Sequence, residues 1–202
     1  MYRTYVKRFL DIVFAIIGMP FFIIIFIVVS PLIFLEDKGP IFYNAQRIGR
    51  NGTVFTMYKF RSMKKNAPDL RNKDGTTFNS ENDSRVTRIG KILRRTSLDE
   101  TPQLLNVLIG DMSFIGPRPD LPDMIKIYRE GDERKLLIRP GITGYSQVMY
   151  RNSSSLDQRF DGDIYYEANI SMLLDLKIIL KTIEVVIKHR NIYRNSEGGI
   201  QE

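Results

Sequence analysis

Residues 12–35 read IVFAIIGMPFFIIIFIVVSPLIFL, a run of 24 positions without a charged side chain. As a straight helix the run would extend ~36 Å at ~1.5 Å per residue, whereas the hydrocarbon core of a bilayer is ~30 Å thick. The core helix of a soluble domain is one alternative, but a run that is apolar on all sides and close to a terminus fits it poorly. A secretory signal is another, but the run is too long and no small-residue cleavage site follows. We therefore predict a membrane segment over residues 1–38 and one further domain over residues 39–202.

Two prolines and the basic flanks decide the topology that we predict for this segment. Pro20 cannot donate a hydrogen bond to the carbonyl of Ile16, so it should bend or break a helix. Ser30 and Pro31 offer a second break, or a new helix start with Ser30 as N-cap and Pro31 at the first position. Because basic residues favour the cytoplasmic side, both flanks should stay there. These residues are Arg3, Lys7 and Arg8 before the run and Arg47, Arg50, Lys59, Arg61, Lys64 and Lys65 after it. A re-entrant membrane helix, which enters and leaves by one face, satisfies both flanks.

The composition narrows the chemistry that the second domain can perform. The 202 residues carry a formal net charge of +7, which favours anionic partners such as nucleotides or phospholipid headgroups. The chain has no cysteine, which excludes disulfides, thiolate nucleophiles and cysteine-bound metal centres. Its one histidine is His189. Acid–base or nucleophilic chemistry must therefore fall mainly to other side chains, and a bound metal should be a hard cation, with Mg²⁺ first.

The stretch Ser97-Leu98-Asp99-Glu100-Thr101-Pro102 is the strongest candidate for catalysis. Its two carboxylates follow an arginine-rich run and precede a predicted helix, a setting that suits phosphate chemistry. Asp99 could attack phosphorus to form an acyl phosphate, and Glu100 could hold a metal. Two structural alternatives stay open. Ser97 and Glu100 could form a capping box, or Thr101 could be the N-cap, with Asp99 and Glu100 just outside the helix.

Three other stretches are candidates for binding. Pro117 and Pro119 flank Arg118 and fix it in an extended backbone, which would pre-order a guanidinium for a phosphate or form an ordinary rigid turn. Lys59 and Arg61 should share one side of a strand, where they could bind substrate or form a solvated edge. Residues 139–144, RPGITG, predict a tight loop whose glycines permit close approach by a ligand. The acidic pair in Asp161-Gly162-Asp163 is similar to a glycosyltransferase metal motif, but it is short and no strand-rich half precedes it.

Local patterns predict an α+β fold. Strands are expected at residues 41–47 and 53–61 around an Asn51-Gly52 hairpin turn, followed by a polar loop at 66–82. Helices are expected at 86–95, 103–109, 122–130, 156–168 and 170–188. The last of these is amphipathic, and it could either lie in the headgroup region or cover the core of its own domain.

At this point the motifs identify a family that the chain resembles, the small monotopic phosphoglycosyl transferases of bacteria. The resemblance runs in family order through most of the chain. Its motifs are KRFLD at 7–11, GPIF at 39–42, YKFRSM at 58–63, SLDE at 97–100, LLNV at 104–107, GDMSFIGPRP at 110–119 and RPGITG at 139–144. One departure concerns the membrane helix: the family commonly has Ser-Pro at positions equivalent to Ile23-Ile24, whereas this chain has Pro20 upstream and Ser30-Pro31 downstream.

The resemblance implies an α+β fold in which a re-entrant membrane helix precedes a single compact, mainly helical catalytic domain with a small β-hairpin. It implies transfer of a sugar 1-phosphate from a UDP-sugar to polyprenol (undecaprenyl) phosphate in glycoconjugate synthesis, with release of UMP. Asp99 would be the nucleophile that forms a phosphosugar–aspartate intermediate, and Glu100 would help to bind Mg²⁺. Substrate-binding residues would be Lys59, Arg61, Arg94, Pro117, Arg118 and Pro119.

The expected place of the protein is the cytoplasmic face of the bacterial inner membrane, as a monotopic protein with no nucleic-acid partner. The alternative function is a membrane-tethered basic module that binds anionic lipid or nucleic acid without catalysis.

Overall fold

The computed structural model describes residues 1–72, 77–78, 80, 82–150, 155–187 and 200–201. Its helices are α1 (Lys7–Asp37), α2 (Arg88–Thr96), α3 (Gln103–Ile109), α4 (Tyr145–Met149), α5 (Leu156–Ala168) and α6 (Met172–Ile187). Its strands are β1 (Phe42–Ile48), β2 (Val54–Phe60), β3 (Arg71–Asn72), β4 (Ser113–Ile115), β5 (Gly141–Thr143) and β6 (Ile200–Gln201). A π-helical turn at Tyr2–Val6 precedes α1, and 3₁₀ turns lie at Arg50–Gly52, Leu98–Glu100, Pro122–Ile127 and Asp132–Leu137. The mixture of helices with small sheets confirms the predicted α+β class.

The strands form three two-stranded sheets, of which the β1–β2 hairpin is the largest. It pairs Phe42 with Phe60 at one end and Ile48 with Val54 at the other. Asn51 and Gly52 in the turn both have positive φ, 58° and 76°, which asparagine and glycine tolerate best. The predicted hairpin is therefore confirmed. The other sheets are the antiparallel pair β3–β6 and the parallel pair β4–β5.

The helix α1 continues through both Pro20 and Pro31. It does not end at Pro20, and Ser30 does not cap a new helix, so the structure differs from the predicted helix–break–helix. The side chains of Ala15 and Phe22, before and after Pro20, are both buried against the domain. Such packing on either side of a proline offsets the loss of one backbone hydrogen bond. A bend at Pro20 and the re-entrant topology stay predictions.

One stripe of α1 packs into the cores of the following domain. Ala15 is in a cluster with Ala45 and Phe55 of the hairpin. Phe22, Val29 and Ile33 join Phe60 and Leu93 in a second cluster. The rest of α1 is largely exposed and apolar, and α1 with its preceding turn is long and apolar enough to cross a membrane. The predicted boundary at residue 38 thus separates two sequence regions that share their packing.

Both ends of α1 also bond to that domain. Near the start, Arg8 donates to the carbonyl oxygens of Val107 and Leu108 at the end of α3, at 2.6 and 3.0 Å. Close to the other end, the Glu36 carboxylate accepts from the backbone N–H groups of Arg88 and Ile89 at the start of α2, at 2.7 and 3.2 Å. Side chains of α1 therefore satisfy the free backbone groups of two other helix ends.

The last helix, α6, covers the core of its own domain with one face, and its placement in the headgroup region stays a prediction. Asp175 and Ile178 are buried, so a narrow face covers the core. A wider face is apolar and exposed. It comprises Met172, Leu173, Leu176, Ile179, Leu180, Ile183 and Val186.

Candidate active site

A short turn between α2 and α3 presents the two adjacent carboxylates. Ser97 ends α2 in the left-handed conformation, with φ at 57°, and a 3₁₀ turn at Leu98–Glu100 follows. Ser97 makes no side-chain capping bond, so the capping box is not formed. Helix α3 begins at Gln103 after Pro102, so Thr101 is not its N-cap. The Glu100 carboxylate bonds instead to a side chain of the hairpin.

That partner is Lys59, near the end of β2. Its Nζ lies 2.8 Å from Asp99 Oδ2 and 3.3 Å from Glu100 Oε1. The Asp99 side chain is 3% exposed, compared with 22% for Lys59 and 27% for Glu100. Within the described part of the chain, Asp99 Oδ1 has no hydrogen-bond partner. The structure therefore brings together three of the predicted site residues, and it leaves one oxygen of the sheltered aspartate unengaged.

The electrostatics keep Lys59 and Glu100 in their charged forms. Burial would lower the pKa of Lys59, but the charges of Asp99 and Glu100 outweigh it and raise that pKa. Burial would raise the pKa of Glu100, but Lys59 and Arg118 together hold it below its ordinary value. The exposed Arg118 therefore acts on the same site from outside the turn.

Asn106, which the sequence reasoning did not assign, aligns α3 with β2. Its Oδ1 accepts from the backbone N–H of Tyr58 at 2.9 Å, and its Nδ2 donates to the carbonyl of Thr56 at 2.7 Å. Since Tyr58 precedes Lys59 and α3 follows Glu100, these bonds fix the lysine relative to the carboxylates. An asparagine within the apolar run of α3 is the sequence signal that could have identified it, and in the structure its side chain is fully buried.

Arg61, which the sequence predicts to bind substrate, is buried and contacts the end of α1. β2 ends at Phe60, and Arg61 directly follows it. Its guanidinium forms an ion pair with Asp37 at the end of α1. It also donates to the carbonyl oxygens of Ile33, Pro40 and Met63. A buried guanidinium with these partners is a structural clamp on α1.

The remaining predicted binding residues lie in two places. Arg94 is in the last turn of α2 and donates from Nε to Ser62 Oγ at 2.9 Å. Pro117 is buried and Pro119 is half-buried on either side of the exposed Arg118. Roles for Arg94, Arg118 and the two prolines in substrate binding stay predictions.

The 139–144 loop approaches protein backbone at the positions where a ligand was expected. A Cβ on Gly141 would lie 2.1 Å from the backbone nitrogen of Gly116, and one on Gly144 would lie 2.1 Å from the Gly116 carbonyl oxygen. The small size of these glycines therefore allows β5, and Gly144 after it, to pack closely against Gly116 at the end of β4.

The residues near the site fit a Mg²⁺ ion that is bound largely through substrate. Among the described residues no group of three or more histidine, cysteine or acidic side chains could hold a metal. Glu100 is partly exposed, and Mg²⁺ is commonly bound by one or two carboxylates together with substrate phosphates. The pair Asp161 and Asp163 is instead used in ion pairs with Arg129 and Lys135.

The chain is similar to a family model and to several known bacterial proteins. The family model described as "Bacterial sugar transferase" matches residues 2–189. The chain is 43% identical over 190 residues to the galactosyl transferase CpsE of Streptococcus agalactiae, which covers 90% of this chain and 42% of that relative. It is 39% identical over 198 residues to the exopolysaccharide production protein ExoY of Sinorhizobium fredii, covering 93% of this chain and 88% of the relative.

A third relative has a name that states both substrates. It is a UDP-N-acetylgalactosamine-undecaprenyl-phosphate N-acetylgalactosaminephosphotransferase of Aeromonas hydrophila, 36% identical over 194 residues. The match covers 91% of this chain and 44% of the relative. The chain therefore spans less than half the length of the first and third relatives, and most of the length of the second.

Proposed function

Because the chain belongs to the bacterial sugar transferase family, we propose that it transfers a sugar 1-phosphate from a UDP-sugar to polyprenol (undecaprenyl) phosphate and releases UMP. The observation that carries this proposal is the placement of Lys59 between the carboxylates of Asp99 and Glu100. A sheltered aspartate with one unengaged oxygen suits nucleophilic attack on phosphorus. A basic module that only binds anionic lipid or nucleic acid would account for the net charge, but not for this buried arrangement.

We propose two displacements at one phosphorus. An oxygen of the Asp99 carboxylate attacks the phosphorus that bears the sugar, and the bond from that phosphorus to the UMP oxygen breaks, so UMP leaves with the electron pair. An oxygen of polyprenol phosphate then attacks the same phosphorus, and the bond to Asp99 breaks and restores the carboxylate. Lys59 keeps a positive charge beside the attacking group, and Arg118 faces the developing negative charge.

Glu100, with phosphate oxygens of the substrate, would hold Mg²⁺. When bound, the ion would neutralise phosphate charge. The pKa of Glu100, held low by Lys59 and Arg118, keeps this carboxylate available as a ligand at neutral pH.

We further propose that the protein is monotopic at the cytoplasmic face of the bacterial inner membrane. Both ends of α1 bond to one basic domain, which supports a helix whose two ends stay on the same side. The exposed apolar faces of α1 and α6 would lie in the lipid. A membrane-bound enzyme can then receive the long polyprenol without extracting it from the bilayer.

The test is UMP release by the purified protein with Mg²⁺ and a panel of UDP-galactose, UDP-N-acetylgalactosamine and UDP-glucose. With polyprenol phosphate present, we expect continuous release with at least one donor, and its loss on addition of EDTA. Without the acceptor, we expect a burst equal to the enzyme concentration and a phosphosugar adduct on Asp99 detectable by mass spectrometry. Asp99→Asn should abolish both, with an unchanged thermal unfolding curve. Full activity of Asp99→Asn, or kinetics that require both substrates bound together, would contradict the mechanism.

A further inference from the structure

The segment that carries Arg118 is fixed at its N-terminal end by backbone hydrogen bonds. Gly116 N–H donates to the carbonyl of Thr143, and Gly141 N–H donates to the carbonyl of Pro117, both at 2.9 Å. Gly116 cannot be replaced without displacement, because a Cβ there would lie 2.4 Å from the carbonyl oxygen of Arg139. The segment therefore leaves β4 along one defined path.

Its trailing end is fixed at Asp120, which is 6% exposed. The Asp120 carboxylate accepts from Lys135 Nζ and from the Tyr128 hydroxyl, both at 2.8 Å. Its carbonyl accepts from the backbone N–H of Ile48 at 2.9 Å. Arg118 and Pro119 thus bridge two anchored points.

Lys135 joins this anchor to α5. Its side chain is 2% exposed, and Nζ lies 2.5 Å from Oδ2 of Asp163, which also accepts from the Ser146 hydroxyl. The ammonium lies 4.9 Å from the centroid of the Phe160 ring. One buried cation is therefore shared by the segment of Arg118 and by a helix outside the catalytic site.

Stability alone is a poor reason for such a cluster. Burying ion pairs carries a desolvation cost, and apolar replacements are often as stable or more so. What the cluster does provide is a fixed location for Asp120, two residues after Arg118. Within the described residues Arg118 has no hydrogen-bond or ion-pair partner of its own, so its backbone determines where its guanidinium lies.

We propose that Lys135 is a positioning residue that, through Asp120, holds the Arg118 guanidinium where it meets the diphosphate of the substrate. This rests on the function proposed above. A misplacement of about 1 Å in such a group is enough to cost roughly a hundredfold in rate.

The charge state of the cluster fits this role. Burial would lower the pKa of Lys135, but Asp120 and Asp163 outweigh it and raise that pKa. Burial would likewise raise the pKa of Asp120, but Lys135 holds it below its ordinary value. The Lys135–Asp120 ion pair therefore stays charged across the neutral pH range, so the contact between the two side chains is kept there.

A double-mutant cycle tests the proposal. Lys135→Met should lower kcat/KM for the UDP-sugar by about tenfold to a hundredfold when Arg118 is present, and by less than about twofold in the Arg118→Ala background. Lys135→Arg should retain most activity. The same proteins are titrated with UDP by calorimetry. Where turnover is too slow to measure, the dissociation constants for UDP complete the double-mutant cycle. Tyr128→Phe, which removes a single bond to Asp120, provides a milder second variant with the same expected coupling to Arg118.

Lys7→Gln is the matched control. It breaks another buried ion pair, between Lys7 Nζ and Asp175 Oδ2 at 2.7 Å, away from Asp120. Any loss that it causes should be the same in both Arg118 backgrounds. If the losses of kcat/KM for Lys135→Met and Tyr128→Phe are also equal in both Arg118 backgrounds, the positioning role of Lys135 is overturned but the proposed function is not. Absence of UMP release by the unaltered protein with every donor would overturn the proposed function as well.

Discussion

At the level of single residues, the protein places a lysine between two carboxylates twice. Lys59 lies between Asp99 and Glu100, and Lys135 lies between Asp120 and Asp163. The first lysine is 22% exposed and the second is 2% exposed. The same chemical grouping is thus accessible to solvent in the first case, whereas in the second it is closed and holds protein segments together.

The open lysine leads to a prediction about pH dependence. Lys59→Gln should move the acid limb of kcat/KM to higher pH by about one to two units. Lys59 and Arg118 keep the pKa of Glu100 below its ordinary value against the effect of burial, and the variant leaves burial opposed by Arg118 alone. Glu100 would then take up a proton at a higher pH as the solution is acidified. The pH–rate profile measures this, with the exposed Lys64→Gln as a control that should leave the limb in place. An acid limb unchanged in Lys59→Gln would show that Glu100 does not govern it.

At the level of elements, Arg61 shows how the long apolar helix α1 is fixed to the domain that follows it. Arg61→Met should destabilise the protein by about 3 kcal/mol, because Asp37 loses its partner and three carbonyl oxygens lose a donor. The double variant Asp37→Leu/Arg61→Met should recover much of that loss, since an apolar pair replaces the ion pair. Thermal unfolding in detergent measures both changes.

The same variants test the predicted role of Arg61 in substrate binding. The KM for the UDP-sugar should stay within about twofold of its original value in the double variant, since Asp37 and three backbone carbonyl oxygens already hold the guanidinium. A tenfold rise in KM in a stably folded double variant would return Arg61 to the substrate site.

The elements also show how far the sequence could predict the fold. The alternating apolar and polar residues of the hairpin and the spacing of apolar residues in α3 and α5 are local patterns. Those elements lie within one residue of their predicted bounds. The continuity of α1 through Pro20 depends on packing against residues far along the chain, such as Phe60. The partner of Arg61 lies 24 residues away, and a sequence read locally does not indicate it. The adjacent Asp99 and Glu100 can be chosen as candidates from the sequence, whereas the Lys135 cluster joins three distant segments and no local pattern indicates it.

At the level of the whole molecule, the question is how the basic domain and the apolar helices lie at the bilayer. Because the chain has no cysteine, single introduced cysteines give an unambiguous report. Thr4→Cys and Lys64→Cys, both at exposed positions on either side of α1, should react with an impermeant maleimide in inverted membrane vesicles and not in right-side-out vesicles. Ile24→Cys should be protected in both. Reaction of Thr4→Cys only from the opposite side would show a simple span.

The contacts of Arg8 and Glu36 with the ends of α3 and α2 have a practical consequence. Because α1 bonds to the ends of two other helices and fills part of the hydrophobic core, it cannot simply be exchanged for another apolar helix. Truncation to a water-soluble fragment beginning near residue 39 would uncover Phe60 and leave those helix ends without their partners. Chimaeras between relatives should accordingly carry the anchor together with the surfaces that receive it.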